Sequence, residues 1–411
     1  MKKYLLPLIL ILCLTFTLVG YSADLYATYD QRIKLTVSNT NIDAELTWFP
    51  LTVFLTSTQG EEVFAEFDAD ADFDKVAFTT SDGSTQVYAD CEVFDDSESK
   101  AIYHIAKTGV AISNTGTTDF YMYYDNDASA NTDYISASGG TAAQSVWDAN
   151  FKAVYHMADG ASNAAIYDST SNNNDGTKKA TNTPVEIAAK VGQGQDYDGN
   201  TEHYITVNGL ATTLASDTVG TISFWAKIGD EATAHHTIIG SANSAGGATT
   251  YLNFKYVKST SDHMNIQFYQ DGSPLWAFNT ADDSLDSYYG NWLHVALVQN
   301  GTAPILYWNG TLRTDITWGS ETDKTKWLKA ILTDATTDAD NMYLGALYYN
   351  GAIDANTFDG VQDEVIFSST NRSAAWVKAD YNSGSDTLLT YGAEETGGVT
   401  EANILFIFSN F

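Results

Sequence analysis

The densest run of chemically active side chains is Glu66-Phe67-Asp68-Ala69-Asp70, and Asp72 and Asp74 continue it at the same two-residue interval. Alternate residues of a strand share a face. On an extended chain Glu66, Asp68 and Asp70 would therefore stand side by side, as the nucleophile and general acid of a retaining glycosidase must. The same acids also read as a solvated edge or a loose calcium loop, although the run lacks the glycine that an EF-type loop needs at its sharp turn. Nothing else competes: the chain has no HExxH, nucleophile elbow, phosphate loop or dinucleotide fingerprint. Its seven His are scattered apart from His235-His236, which reads as a loop, so the His pattern makes a poor transition-metal site.

A second group is aromatic. Trp276, Tyr288, Tyr289, Tyr348 and Tyr349 lie in or beside polar, turn-rich segments. Exposed rings there could stack on sugar rings while neighbouring Asn and Asp bond hydroxyls. Trp225, Trp292 and Trp308 fall in strand-like runs and read as core.

Both groups need a scaffold. The 411 residues carry 20 Lys and Arg against 52 Asp and Glu, a formal charge of -32, and 13% of them are aromatic. Such a surface repels phosphate backbones, which excludes nucleic acid as a partner. The aromatic content excludes a disordered acidic polymer. Tyr, Phe and Thr with abundant Gly, Asn and Asp favour strands joined by polar turns, so the chain is expected to be all-β.

Lys2-Lys3, an apolar run from Tyr4 to Val19 and Gly20-Tyr21-Ser22-Ala23 have the order of a secretory signal over residues 1–23. Cleavage there implies a secreted or cell-surface protein with no stable membrane span. It also leaves Cys91 as a lone thiol, expected to be reduced and buried.

Short apolar runs separated by turns from Tyr29 to Tyr124 have a β-sandwich cadence, which places a first domain over 24–135. A Gly/Ala/Ser-rich stretch, 136–146, reads as a linker. A longer series of strands fills 147–390, ending in a short helix from Ser373 to Tyr381 with Ser373 as its cap. Residues 391–411 read as a tail that includes the apolar string Asn403 to Phe408.

Several strings then point to a family. Trp147-Asp148 with Phe151-Lys152-Ala153-Val154-Tyr155-His156-Met157, Asp168 to Thr177, Gly194-Gln195-Asp196-Tyr197-Asp198-Gly199, Thr221-Ile222-Ser223-Phe224-Trp225, Asn291-Trp292-Leu293-His294, Tyr307-Trp308-Asn309-Gly310 and Phe358-Asp359-Gly360-Val361-Gln362-Asp363-Glu364-Val365 follow in order. Together they resemble a laminin-G-like, concanavalin-A-like jelly roll. The preceding domain, with Tyr29-Asp30-Gln31-Arg32, Phe49-Pro50-Leu51 and Val76 to Gly83, resembles the short β-rich module of unassigned function that accompanies such jelly rolls in microbial surface proteins.

The resemblance implies a non-catalytic binding or adhesion protein whose partner is a glycan or an extracellular protein. A polysaccharide-active hydrolase and a structural surface or virion component are the alternatives. It also implies calcium as a structural ion. In related modules a carboxylate of the Asp-Glu-Val string binds the ion, which carries over to Asp363, and Asp168 and Asp198 lie in loops that resemble the family's polar turns. Asp168 is equally placed to make an Asx turn, and Asp198-Gly199 to make a hairpin turn.

Overall fold

A computed structural model describes residues 24–397 except 161, 182, 200–201, 231–234, 245–249, 334–337 and 355. The expected signal at 1–23 and the string Asn403 to Phe408 lie outside the described residues. Strands make up 44% of the described residues and helices 12%, so the protein is all-β. No described helix is long and apolar enough to cross a membrane.

The first module is an eight-stranded sheet. Its strands include Gln31–Val37, Leu51–Leu55, Val76–Thr80, Gln86–Asp95, Lys100–Ala106 and Thr118–Tyr124. It curls so that Ile33, Leu35, Phe78 and Met122 share one core with Val53, Leu55, Tyr103 and Ile105. Cys91 lies in this core as a free thiol, and burial pushes its pKa well above the ordinary value.

The second module is a sandwich of an eight-stranded and a nine-stranded sheet. Alternation builds it. Leu252, Phe254 and Tyr256 of the strand Tyr251–Val257, and Met264, Ile266 and Phe268 of the neighbouring His263–Gln270, point into a core shared with Phe224, Val295 and Leu297 of the opposing sheet.

The parts expected to separate or follow the modules instead join them. The strand Ile135–Ala137, which runs from the first domain into the expected linker, pairs in parallel with Ala89 to Cys91, and Ala142, Ala143 and Val146 of the linker are buried. Small side chains let that segment pack rather than swing. The helix Ala374–Gly384 is capped by Ser373, whose Oγ accepts from the Trp376 N–H at 3.1 Å. It is wedged between the modules: Trp376 packs edge-on to Phe49 at 4.9 Å, and Tyr381 lies 5.5 Å from Trp225. The expected tail begins inside a strand, because Leu389–Thr396 pairs antiparallel with Gln31–Val37 and so completes the first module.

Candidate functional sites

The acidic run does not form the strand that glycosidic chemistry would need. Glu62–Glu66 is a short helix and Asp70–Asp74 a 3-10 turn, which breaks the alternation. The carboxylates serve as local acceptors: Glu66 takes the Asn126 N–H at 3.1 Å, Asp68 the Asn126 amide at 3.0 Å, and Asp70 the Asp96 N–H at 2.9 Å.

The five aromatics separate as well. Trp276 is 0% exposed, stacked on Phe268 at 4.9 Å, with its indole N–H donated to the Lys326 carbonyl at 3.0 Å. The polar Gln270-Asp271-Gly272-Ser273 beside it is only the hairpin turn, and the following strand Ser273–Thr280 carries Trp276 and Phe278 inward. Tyr288 is half-buried against Trp308, and Tyr289 sits under the Lys258 ammonium at 4.4 Å. Tyr348 and Tyr349 form a short hairpin strand elsewhere, where Tyr348 stacks on Tyr343 at 5.7 Å and Tyr349 meets Tyr251 edge-on at 5.9 Å.

That last contact leads to residues that the sequence presents as plain strand. Tyr251 and Tyr269 are cross-strand partners on the outer face of the nine-stranded sheet, stacked at 4.7 Å and 12°. Beside them on that face lie Gln267, then Asn265 and Asn279, all half-buried. The period-two pattern Tyr251-x-Asn253-x-Lys255 and Asn265-x-Gln267-x-Tyr269 was the available signal. This face combines aromatic and amide groups with the ammonium of Lys255, whose pKa is lowered by burial and partly restored by Asp354.

The carboxylates expected to bind calcium do not form a common ligand group among the described residues. Asp168, 0% exposed, organises its own loop, accepting the N–H groups of Val154, Thr170 and Asn174 at 2.8–3.1 Å. Asp198 sits in a turn, its N–H donated to His203 at 2.9 Å. Asp363 is 0% exposed; one oxygen takes the Val191 N–H at 2.7 Å and the other has no partner.

Beside Asp363 the fold assembles a cluster that the scattered His gave no hint of. Glu92 and His104, from neighbouring strands of the first module, meet His156 and Glu364 of the second. Their side chains are 0%, 3%, 2% and 9% exposed. His104 Nε2 lies 3.1 Å from Glu92 Oε2, and His156 Nδ1 lies 2.6 Å from Glu364 Oε1. The two imidazoles stack at 4.3 Å. Asp90 completes the group: it accepts from the Trp147 indole at 2.9 Å and Ser138 at 2.8 Å, and lies 3.0 Å from His156 Nε2.

Both glutamates reach this point because their strands are irregular. The pairing of Gln86–Asp95 with Lys100–Ala106 shifts between Cys91 and Val93, leaving Glu92 as the extra residue. The strand Gly360–Ser368 shifts opposite Phe224, and Glu364 there has φ +47. Bulges re-aim side chains. In the second strand the irregularity brings Asp363 and Glu364 to the interior together, where a regular strand would send them to opposite faces.

Electrostatics divides the cluster. Burial raises Glu92 and Asp363 well above the usual carboxylate range, and the nearby Glu364 adds to both shifts. Burial likewise opposes a charge on Asp90, but His156 more than offsets it and the net shift is downward. Burial followed by repulsion from His156 lowers His104 to about 4. Burial opposes the His156 cation too, yet Glu364 and Asp90 hold its pKa well above the ordinary value.

No protein-family model matches the chain, and no curated protein does. Among solved structures, the carbohydrate-binding module of a Ruminococcus gnavus IT-sialidase bound to α2,3-sialyllactose is 19% identical, covering 48% of this chain and 96% of that one, with a TM-score of 0.35. A leech intramolecular trans-sialidase gives 21%, 47%, 26% and 0.34 for the same quantities. The binding domain of Paraclostridial Mosquitocidal Protein 1 gives 13%, 57%, 52% and 0.39. TM-scores under 0.5 carry neither a residue nor a ligand from these proteins to this chain.

Proposed function

We propose that the chain is an exported, non-catalytic carbohydrate-binding protein that holds its ligand on the outer face of the nine-stranded sheet. The observation that carries this reading is the row of half-buried Tyr251, Tyr269, Gln267, Asn265 and Asn279 on that face, with Tyr349 at its border. Aromatic rings present apolar faces of the size of a pyranose, and amides offer a donor and an acceptor at the spacing of adjacent hydroxyls. A rigid sheet holds both groups in place before the ligand arrives, which lowers the entropic cost of binding.

The test is a glycan array probed with secreted protein whose N-terminus has been mapped by mass spectrometry. Cleavage near Ala23 and hits that weaken about tenfold or more in Tyr269→Ala and Gln267→Ala are expected, a tenfold loss being about 1.4 kcal/mol. Parallel arrays with calcium and with chelator separate a calcium-bridged contact from direct stacking. An array with no hits, or hits untouched by both substitutions, overturns the proposal.

A further inference from the structure

We propose that Glu92, His104, His156 and Glu364 bind one divalent transition-metal ion of the zinc type, which staples the first β module to the second. Each module supplies one imidazole and one carboxylate. The four donor atoms lie within 4.8 Å of one another. The separations across the cluster are 2.6, 3.1, 4.0 and 4.0 Å, which bracket the edge of about 3.3 Å in a tetrahedron with zinc–ligand bonds of about 2.0–2.2 Å. An ion entering there would replace the contact between His156 Nδ1 and Glu364 with two bonds to itself.

The donor set chooses the class of ion. Calcium takes six to eight oxygens, whereas two imidazole nitrogens with two carboxylates suit zinc and its transition-metal neighbours. The surroundings match what a ligating histidine requires, namely a partner on the other ring nitrogen. His156 has Asp90 at 3.0 Å, and His104 has the Thr52 hydroxyl at 3.4 Å from its Nδ1. Glu92 is anchored by the Gln193 N–H at 3.1 Å.

A second observation is the charge imbalance. Asp90, Glu92, Asp363 and Glu364 converge in the interior, and among the described residues no Lys or Arg makes an ion pair with any of them. The buried, unpartnered oxygen of Asp363 belongs to this same group of acids. His156 offers one positive charge to four acids, and buried carboxylates in excess of their cations normally coordinate metal or remain protonated. Access exists as well: Glu92 and His156 line one cavity, with Ser138 and Tyr167, and His104 and Glu364 line another, with Trp147 and Arg372.

The experiment uses the untagged mature chain, stripped with chelator and dialysed. Zinc should raise Tm by about 5 °C at saturation, with the rise complete at one equivalent. Cobalt(II) should give the visible absorption bands of a four-coordinate site, removed by one equivalent of zinc. Glu92→Gln keeps the size of the side chain and His156→Gln keeps a hydrogen-bonding group. Both variants should match the chelated parent in circular dichroism yet lose the zinc-dependent rise and the cobalt bands. If a variant fails to fold, the parent titration alone decides. A chelated parent that melts at the same temperature with and without zinc and gives no cobalt bands overturns the proposal, as does a rise produced by calcium and not by zinc. Tyr269→Ala should leave the metal response intact, so failure of the glycan reading and failure of the metal site are distinguishable.

Discussion

Ending the chain after Thr387 should unfold the first module while leaving the second standing. The deletion removes the strand Leu389–Thr396, which forms the edge of the sheet against Gln31–Val37. It exposes the cavity left by Leu388 and Leu389, 1% and 7% exposed, at about 1.5–3 kcal/mol each. It also takes away the Tyr391 hydroxyl that accepts the Phe54 N–H at 2.9 Å, and hydrogen bonds of this kind contribute about 1 kcal/mol net. With the ladder to Gln31–Val37 and the ion pair of Glu395 with Arg32, the loss is on the order of 6 kcal/mol, comparable with the whole stability of about 5–15 kcal/mol of a typical domain. The assay is calorimetry and limited proteolysis on residues 24–397 and 24–387. The shorter chain should lose one transition and be cut within 31–124, and a synthetic peptide of residues 388–397 should restore protection. If the two chains melt within about 2 °C of each other and resist protease equally, the last strand is an ornament and the reasoning fails.

Gly192 has φ +55, and a Cβ there would sit 1.8 Å from Glu92 Oε1. Gly192→Ala should therefore lower the urea midpoint by about 1–3 kcal/mol equivalent, more than Gly351→Ala, where φ is +82 but the space is open. Asp82 titrates below the ordinary carboxylate value: although burial raises it, the Thr85 hydroxyl and the N–H groups of Thr85 and Ser84 more than offset that. A depressed folded-state pKa gives stability that is full above the unfolded value, near about 4, and is lost as pH falls through that range. Tm plotted from pH 6 to pH 2 should thus fall less steeply for Asp82→Asn than for the parent, and parallel curves would refute it.

Local periodicity made most of the architecture readable in advance. Leu252, Phe254 and Tyr256 alternate as a strand over a core must, and Ser373 announces its helix because a hydroxyl in that position satisfies a free N–H. Misreadings arose where one local signal could serve two structures. Glu66 to Asp70 has strand spacing but turns helical, and Trp276 lies next to a polar turn yet faces inward. His235-His236, expected as a loop, opens the strand His235–Ala242, with His236 stacked on Tyr256 at 4.8 Å. The cluster of Glu92, His104, His156 and Glu364 was beyond reach for a different reason. Its members stand far apart in the chain, and two of them depend on register shifts that only pairing with a neighbouring strand creates. The string Asp363-Glu364 supplies one member of that cluster, Glu364, while Asp363 accepts the Val191 N–H beside it.

The pairing of Gln31 with Thr396, and the hydrogen bond from the Gly397 N–H to the Asp30 carbonyl at 2.6 Å, put the two ends of the described chain side by side. Tension applied at both ends would therefore pull across adjacent antiparallel strands, whose hydrogen bonds run perpendicular to the strands. Each rung would carry the whole force in turn, beginning with Gln31 and Thr396 and travelling towards Val37 and Leu389. Such a zipper yields at low force and recloses by the same route, so a tether through these ends would lengthen by peeling before the sandwich of the second module felt the load.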